Sequence, residues 1–385
     1  MKIVHIALCG PVTDNWTYQD NLLPKYHKKN GNDVVMITSK FIYNSKGNIT
    51  TDTREIYNNE NDIKTIRLKT SKDKPIHFRF KKYIGLLAAL KEEVPDIIFV
   101  HGVQFLDIKT IVEYLKANPS TKVFVDNHAD FSNSARNLLS KNFLHKIVWK
   151  RCAHLIEPYT TKFFGVLPAR VSFLIDVYKI PKEKVELLVM GADDEEVEEA
   201  NKPEIRRGIR NKYGIEENDF LIMTGGKIDN AKKQTLMLMQ AIKDLPDERV
   251  KLIVFGSVIP ELQAEVNELI EEKKIQYIGW IESEESYKYF AAADLVVFPG
   301  RHSVLWEQVV GQGIPIVVKW WDGTTHIDLG GNCLFLYEDT ISELKRTINE
   351  VINNKNTYLQ MKNSANSKKK NVFMYSNIAE KSIEL

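Results

Sequence analysis

Short apolar runs alternate with segments of helical periodicity along the whole chain, and Gly, Pro, Asn or Asp marks most of the junctions. Residues 2–9 read as a first strand, and the polar loop 10–20 leads into a helix through about residue 30 and a second strand over 34–38. Residues 40–75, rich in Asn, Thr, Lys and Asp, read as short strands and loops ahead of an amphipathic helix over 78–93. A buried strand at 95–101, a helix at 107–117 and a strand at 122–126 continue the alternation, followed by a helix at 141–151, a strand-turn-helix within 157–179 and a strand and turn over 185–193. A second series then runs through strand 220–224, helix 233–244, strand 250–255, helix 260–273, strand 276–278, helix 284–293, strand 295–298 and helix 304–310. It closes with strand 333–337, helix 342–353 and a terminal helix over 378–385. Strand-helix alternation of this kind predicts an α/β protein with two doubly wound parallel sheets. Between the two series, residues 194–210 are charged throughout, carry Pro203 and lack apolar periodicity, so a linker is expected there.

Length agrees with two domains, because 385 residues exceed one compact core and divide into two of about 180. The 43% hydrophobic content and 10% aromatics describe a globular chain, and a net charge of +2 gives no global pull toward nucleic acid. Cys9, Cys152 and Cys333 are odd in number and far apart, which argues against a disulfide framework or zinc site and for a reducing compartment. The first apolar run is too short for a signal peptide, and no later run approaches the roughly 18 residues needed to span a bilayer. A cytoplasmic protein is expected.

Candidate chemistry concentrates in two loops of the second half. Residues 295–318 read as strand, turn, helix and strand, with Ser303 expected at the helix N-cap ahead of Val304 and Gly311 and Gly313 at its end. The unpaired N–H groups of such a helix start, with Arg301 and His302 beside them, suit an anion, and phosphate is the obvious one. Glu307 falls one residue too late to complete a capping box, which leaves its carboxylate free to accept from a vicinal diol such as a ribose. The same residues also suit an ordinary strand-turn-helix with a solvated glutamate. The second loop, 224–234, holds Gly225, Gly226, Lys227, Lys232 and Lys233. It is no Walker motif, but glycines permit close backbone approach and lysines supply charge for a diphosphate. No Gly-x-Gly-x-x-Gly follows the first strand, so a dehydrogenase is not indicated.

In the first half, His101 and His128 each stand at the end of a strand, where open α/β sheets bind ligands. Either could be a satisfied structural histidine. His128, in the polar run 126–130 with Asp130, is the better functional candidate. The helix 141–151 interleaves Lys and Arg with Phe, Leu, Ile, Val and Trp; it either packs an apolar stripe on the sheet or rests that face on anionic lipid.

The run 299–315 resembles the donor-binding signature of family 4-like (group 1 type) glycosyltransferases of GT-B fold, in which a Pro-Ser-x-x-Glu turn precedes a helix carrying a second Glu and then Gly-x-Pro. Two registers fit. Glu307 as the second Glu puts Pro299 at the first acidic position, and Gly313 to Pro315 as the Gly-x-Pro puts Gln308 and Gly300 there. Neither has an acid where the family contacts the donor sugar. Residues 19–38 and 185–193 are also similar to the family's first domain, and the similarity extends over nearly the whole chain. It implies two Rossmann-like domains facing across a cleft, at 1–193 for the acceptor and 211–365 for the nucleotide sugar, with 366–385 crossing back to the first. It implies a retaining transfer from a UDP-sugar to a glycan or lipid-linked acceptor in surface polysaccharide or glycoconjugate synthesis, with no cofactor. Lys227 and Lys232 or Lys233 would hold the diphosphate, with Lys227 and Lys233 as the catalytic pair that stabilises it as it leaves, Gly226, His302, Ser303 and Val304 would line it, and Trp280 and Ile281 would lie against the base. His128 would face the transferred sugar, with Gly10, Asp14 and Asp130 on the acceptor side. No Asp-x-Asp occurs, consistent with phosphate held by lysine and a helix instead of a metal. A sugar-nucleotide epimerase and a non-catalytic partner of an active transferase share this architecture and stay open. An acceptor on lipid would place the enzyme at the inner membrane face.

Overall fold

The structure, a computed structural model, describes residues 1–44, 47–70, 81–132, 134, 140–271 and 273–384. The first eight-stranded sheet is built from β1 (Lys2–Ala7), β2 (Asp33–Ser39), β5 (Ile56–Asn58), β6 (Lys64–Leu68), β7 (Ile97–His101), β8 (Lys122–Asn127), β9 (Lys162–Gly165) and β10 (Val185–Leu187), in the order β10-β9-β8-β7-β1-β2-β6-β5. Every pairing is parallel except the edge strand β5, and β3 (Phe41–Tyr43) with β4 (Ile49–Thr51) forms a separate antiparallel pair. The strands are apolar on both faces because both are covered. Along β1, Val4 and Ile6 join a core with Leu90, Ile111 and Phe173, whereas Ile3 joins Phe99, Leu22 and Ile378 on the opposite face. The chain reverses its direction of travel across the sheet between β1 and β7, which makes their carboxyl ends the switch point.

The second sheet has six strands, all parallel: β11 (Phe220–Gly225), β12 (Val250–Phe255), β13 (Ile275–Tyr277), β14 (Leu295–Phe298), β15 (Ile316–Lys319) and β16 (Cys333–Leu336), in the order β13-β12-β11-β14-β15-β16. Its switch point lies between β11 and β14. Ile222, Val254, Leu295 and Val317 pack with Leu238, Val266 and Ile348 from the covering helices. The chain forms two compact units, Met1–Val189 with Tyr375–Leu385, and Met190–Met374. Each is Rossmann-like.

The expected linker 194–210 is instead two helices, Asp194–Ala200 and Pro203–Lys212, inside the second unit. Its charges have partners. Arg206 and Arg210, one turn apart, reach Asp294 at 2.7 and 3.1 Å, and Arg206 also donates to the carbonyl of Ala292 at 2.7 Å. A helix docked through guanidinium groups leaves little apolar periodicity to read. The helix Lys355–Ala365 was not foreseen either, although Asn354 caps it by accepting from the N–H groups of Asn356 and Thr357. The helix expected at 78–93 is present only as Leu86–Glu93, with residues 78–80 outside the described residues. The segment expected to be a helix at 141–151 winds as a π-helix over Ser140–Trp149 and continues as Lys150–Ile156.

Candidate functional site

At the switch point of the second sheet, the loops after β11 and β14 lie against each other. Gly225 has no room for a side chain, since a Cβ would stand 2.1 Å from the Phe255 ring, and Gly226 adopts a φ of +117° that favours glycine. A Cβ on Gly300 would meet Lys232 Cα at 3.8 Å and Gln234 Oε1 at 3.4 Å, and one on Gly226 would meet Lys232 Nζ at 3.9 Å. Lys232 is thus brought to both loops. Burial, and then the nearby Arg301, lowers its pKa, with Asp229 acting the other way. Lys227 is exposed, with Asp229 at 4.0 Å, and the exposed Lys233 stands at the start of the helix Gln234–Lys243. Of the three lysines, geometry singles out Lys232.

The helix after β14 runs Leu305–Gln312 and ends at Gly313 in the left-handed region. Val304, not Ser303, occupies its cap position, and the Ser303 hydroxyl lies 3.5 Å from Leu305 N, too long for a strong cap. Glu307 was expected to lack a local structural task. It has one. The side chain is fully buried, and its Oε1 accepts from His302 Nε2 at 2.7 Å and His326 Nε2 at 2.9 Å; the carboxylate can only accept, so both nitrogens carry the proton. Oε2 is buried with no hydrogen-bond partner. Burial pushes the carboxyl up, but His302 and His326 together outweigh it and bring it down to about 2. Gln308, the other choice of register, is also turned inward and donates to Ser286 Oγ at 2.7 Å. His326 and Trp321, whose Nε1 donates to the carbonyl of Gly300 at 3.4 Å, were missed as site residues. They follow β15, and only the adjacency of β14 and β15 brings their loop beside 299–304. Trp280 is 63% exposed and Ile281 half-buried, following Gly279 at a φ of +77° just after β13.

In the first unit the expected acceptor residues divide. Gly10 has open space around it. Asp14 is engaged by Arg54 Nη2 at 2.8 Å, Arg67 Nη2 at 3.0 Å and the Tyr57 hydroxyl, so it ties its loop to β5 and β6. Asp130 accepts from Ser132 N at 2.6 Å and Arg170 Nε at 3.1 Å. His128 is half-exposed, and its Nε2 donates to Asp126 Oδ2 at 3.2 Å. The same oxygen accepts from His101 Nδ1 at 3.0 Å and Gln19 Nε2 at 3.1 Å. Asp20, His101 and His128 each place one ligand atom within 4.8 Å of the others, and Asp126 Oδ2 accepts from Nδ1 of His101 and Nε2 of His128.

Residues 205–368 match the family model of the glycosyl transferases group 1. Among curated proteins, a mannosylfructose-phosphate synthase of Agrobacterium fabrum is 22% identical over 258 residues, covering 62% of this chain and 54% of the relative, so the chain spans about half the length of the relative it matches. A glycosyltransferase structure from Rickettsia africae superposes with a TM-score of 0.67 at 14% identity, covering 99% of this chain and 96% of that one. Anabaena HepE in complex with UDP gives 0.66 at 16% identity, covering 99% and 98%. A UDP-GlcNAc 2-epimerase of Neisseria meningitidis bound to UDP-GlcNAc gives 0.60 at 12% identity, again covering 99% and 98%. The fold is GT-B, and the part of the second unit over 205–368 matches the model of the glycosyl transferases group 1.

Proposed function

We propose that this GT-B chain, a glycosyltransferase of the group 1 type, transfers a sugar from a UDP-sugar held by its second unit to a glycan or lipid-linked acceptor, with retention at the anomeric carbon. The observation that carries the proposal is the convergence of Gly226, Lys232, Gly300 and the start of the helix Leu305–Gln312 at one switch point. Backbone there can approach a diphosphate, and a cation and the positive end of the helix dipole meet its charge. Negative charge grows on the leaving diphosphate as the glycosidic bond breaks, so these groups stabilise the transition state more than the bound donor. We assign that charge to Lys232, with Lys227 and Arg301 at the rim, and not to a metal. Glu307 is bound by two histidines inside the protein and is not assigned as a nucleophile. His128 and Asp130 are assigned to the acceptor side, and the base to Trp280 and Ile281.

Thermal shift with UDP, GDP, ADP and CMP tests the donor, since a ligand that binds only the folded state raises its melting temperature. UDP should give the largest shift, and stabilisation by GDP without UDP overturns the choice of base. The epimerase structure of the same fold supports a second reading. Conversion of the sugar on incubation with donor alone would favour it, whereas turnover that depends on an added acceptor favours transfer.

A further inference from the structure

On the face of the first sheet covered by the helices Gln19–Lys29 and Tyr375–Ser382, three histidines and an aspartate form an unbroken buried row. His27 Nδ1 lies 2.9 Å from His5 Nε2, His5 Nδ1 3.0 Å from His101 Nε2, and His101 Nδ1 3.0 Å from Asp126 Oδ2. At the far end, His27 Nε2 lies 3.0 Å from the carbonyl of Ala379 and 2.9 Å from Ser382 Oγ. Register makes the row possible, because His101 pairs directly with Asp126 and His5 with Phe99, one pleat away.

Both ends of the row are acceptors. A carbonyl and a carboxylate cannot donate, and four hydrogen bonds between them need four protons, whereas three neutral imidazoles own three. We propose that the row holds this fourth proton as an imidazolium at His101, paired with the Asp126 carboxylate, and that the ion pair positions His128 at the carboxyl edge of the sheet. In the neutral alternative Ser382 donates to His27 Nε2, His27 and His5 carry their protons on Nδ1, and His101 lacks the proton on Nε2. That arrangement sets the His27 lone pair against the Ala379 carbonyl at 3.0 Å and takes the Ser382 hydroxyl from the same carbonyl, to which it is placed to donate at 2.9 Å.

The surroundings favour His101 as the seat of the charge. Burial lowers its basicity, but Asp126, in contact, and Asp20, with Oδ1 at 3.5 Å, raise it above its ordinary value. Burial holds His5 well below its ordinary value, with His27 and His101 adding to that, and brings His27 down to about 4. Nearby, burial pushes the Cys9 thiol up to about 12, so it adds no anion. Asp126, kept ionised, fixes Nε2 of His128 as a donor. The meaning of His128 rests on the proposed transferase reading, but the row can be read without it.

Ring-nitrogen NMR of the full chain with labelled histidine is the test. At pH 8 His101 should show two protonated nitrogens, and His5 and His27 one each, on Nε2. Ser382→Ala should leave this pattern in place, and His128→Gln should too. Asp126→Asn should remove one His101 proton and shift the His128 signals. A neutral His101 at pH 8, or His27 protonated on Nδ1 and altered by Ser382→Ala, overturns the proposal. The wild-type spectrum decides even if Asp126→Asn fails to fold, and it does so whether or not any sugar is transferred.

Discussion

A carboxylate with no access to water survives in the folded state only if donors converge on it, and Glu307 has His302 and His326 on one oxygen. The folded carboxyl lies at about 2, against about 4.3 for an unfolded glutamate, so its stabilisation is fully present above the unfolded value and lost as pH falls toward 2. Glu307→Gln should therefore lower neutral-pH stability by roughly 1.5–3 kcal/mol, the range for hydrogen bonds to a charged group. Denaturation across pH should show the gap between wild type and variant closing below about pH 4; a gap that stays constant down to pH 2 refutes the linkage. Among the lysines, Lys232→Ala should weaken UDP binding about tenfold, or about 1.4 kcal/mol, and leave uridine binding unchanged, because its contribution is charge on phosphate. Calorimetry that finds equal losses for UDP and uridine rules this out. Lys233→Ala should do less, since its side chain is exposed at the helix start.

At the scale of elements, charge patterns carried two meanings that composition could not separate. Pro203–Lys212 looks like a linker in sequence, yet its arginines bind Asp294 and the end of the helix Glu285–Ala292. Arg210 is almost fully buried and also donates to the carbonyls of Glu216 and Asp219 at 2.7 Å, so Arg210→Ala should cost roughly 2–3 kcal/mol by chemical denaturation. A loss below about 0.5 kcal/mol, the usual scale of a surface change, would mean that the helix docks without it. In the segment 140–156, His145, Trp149 and Cys152 pack inward while Phe143 and Ile147 are 53% and 56% exposed, with Lys146 exposed between them. The inward residues form the packed stripe, and we propose that the outward face, with Phe143, Lys146 and Ile147, rests on anionic lipid. Sedimentation with anionic liposomes at low salt should pull down the protein, and Phe143→Asp with Ile147→Asp should abolish it; equal sedimentation of the double variant sinks the idea.

At the scale of the molecule, the C-terminal helix belongs to the first unit although the chain before it belongs to the second. Tyr375, Ile378 and Ala379 pack with Leu22, Leu23 and Tyr26, and His27 is bonded to Ala379 and Ser382. Deleting 375–385 should uncover that face and lower the melting temperature of the first unit, with the transition of the second unit unmoved; calorimetry showing no change in either would contradict this packing. No described helix is long and apolar enough to cross a membrane. The sequence by itself determined the α/β alternation, both parallel sheets, strands such as Val250–Phe255 and Leu295–Phe298 to the residue, and the two glycine-containing loops, because strand burial and turn chemistry are local and leave a periodic trace. It did not determine which lysine turns inward, that Glu307 is clamped by a histidine 19 residues on, or that His5, His27, His101 and Asp126 touch across intervals as long as 96 residues. Those facts depend on which strands become neighbours, and strand adjacency is a long-range outcome of packing that no local pattern encodes.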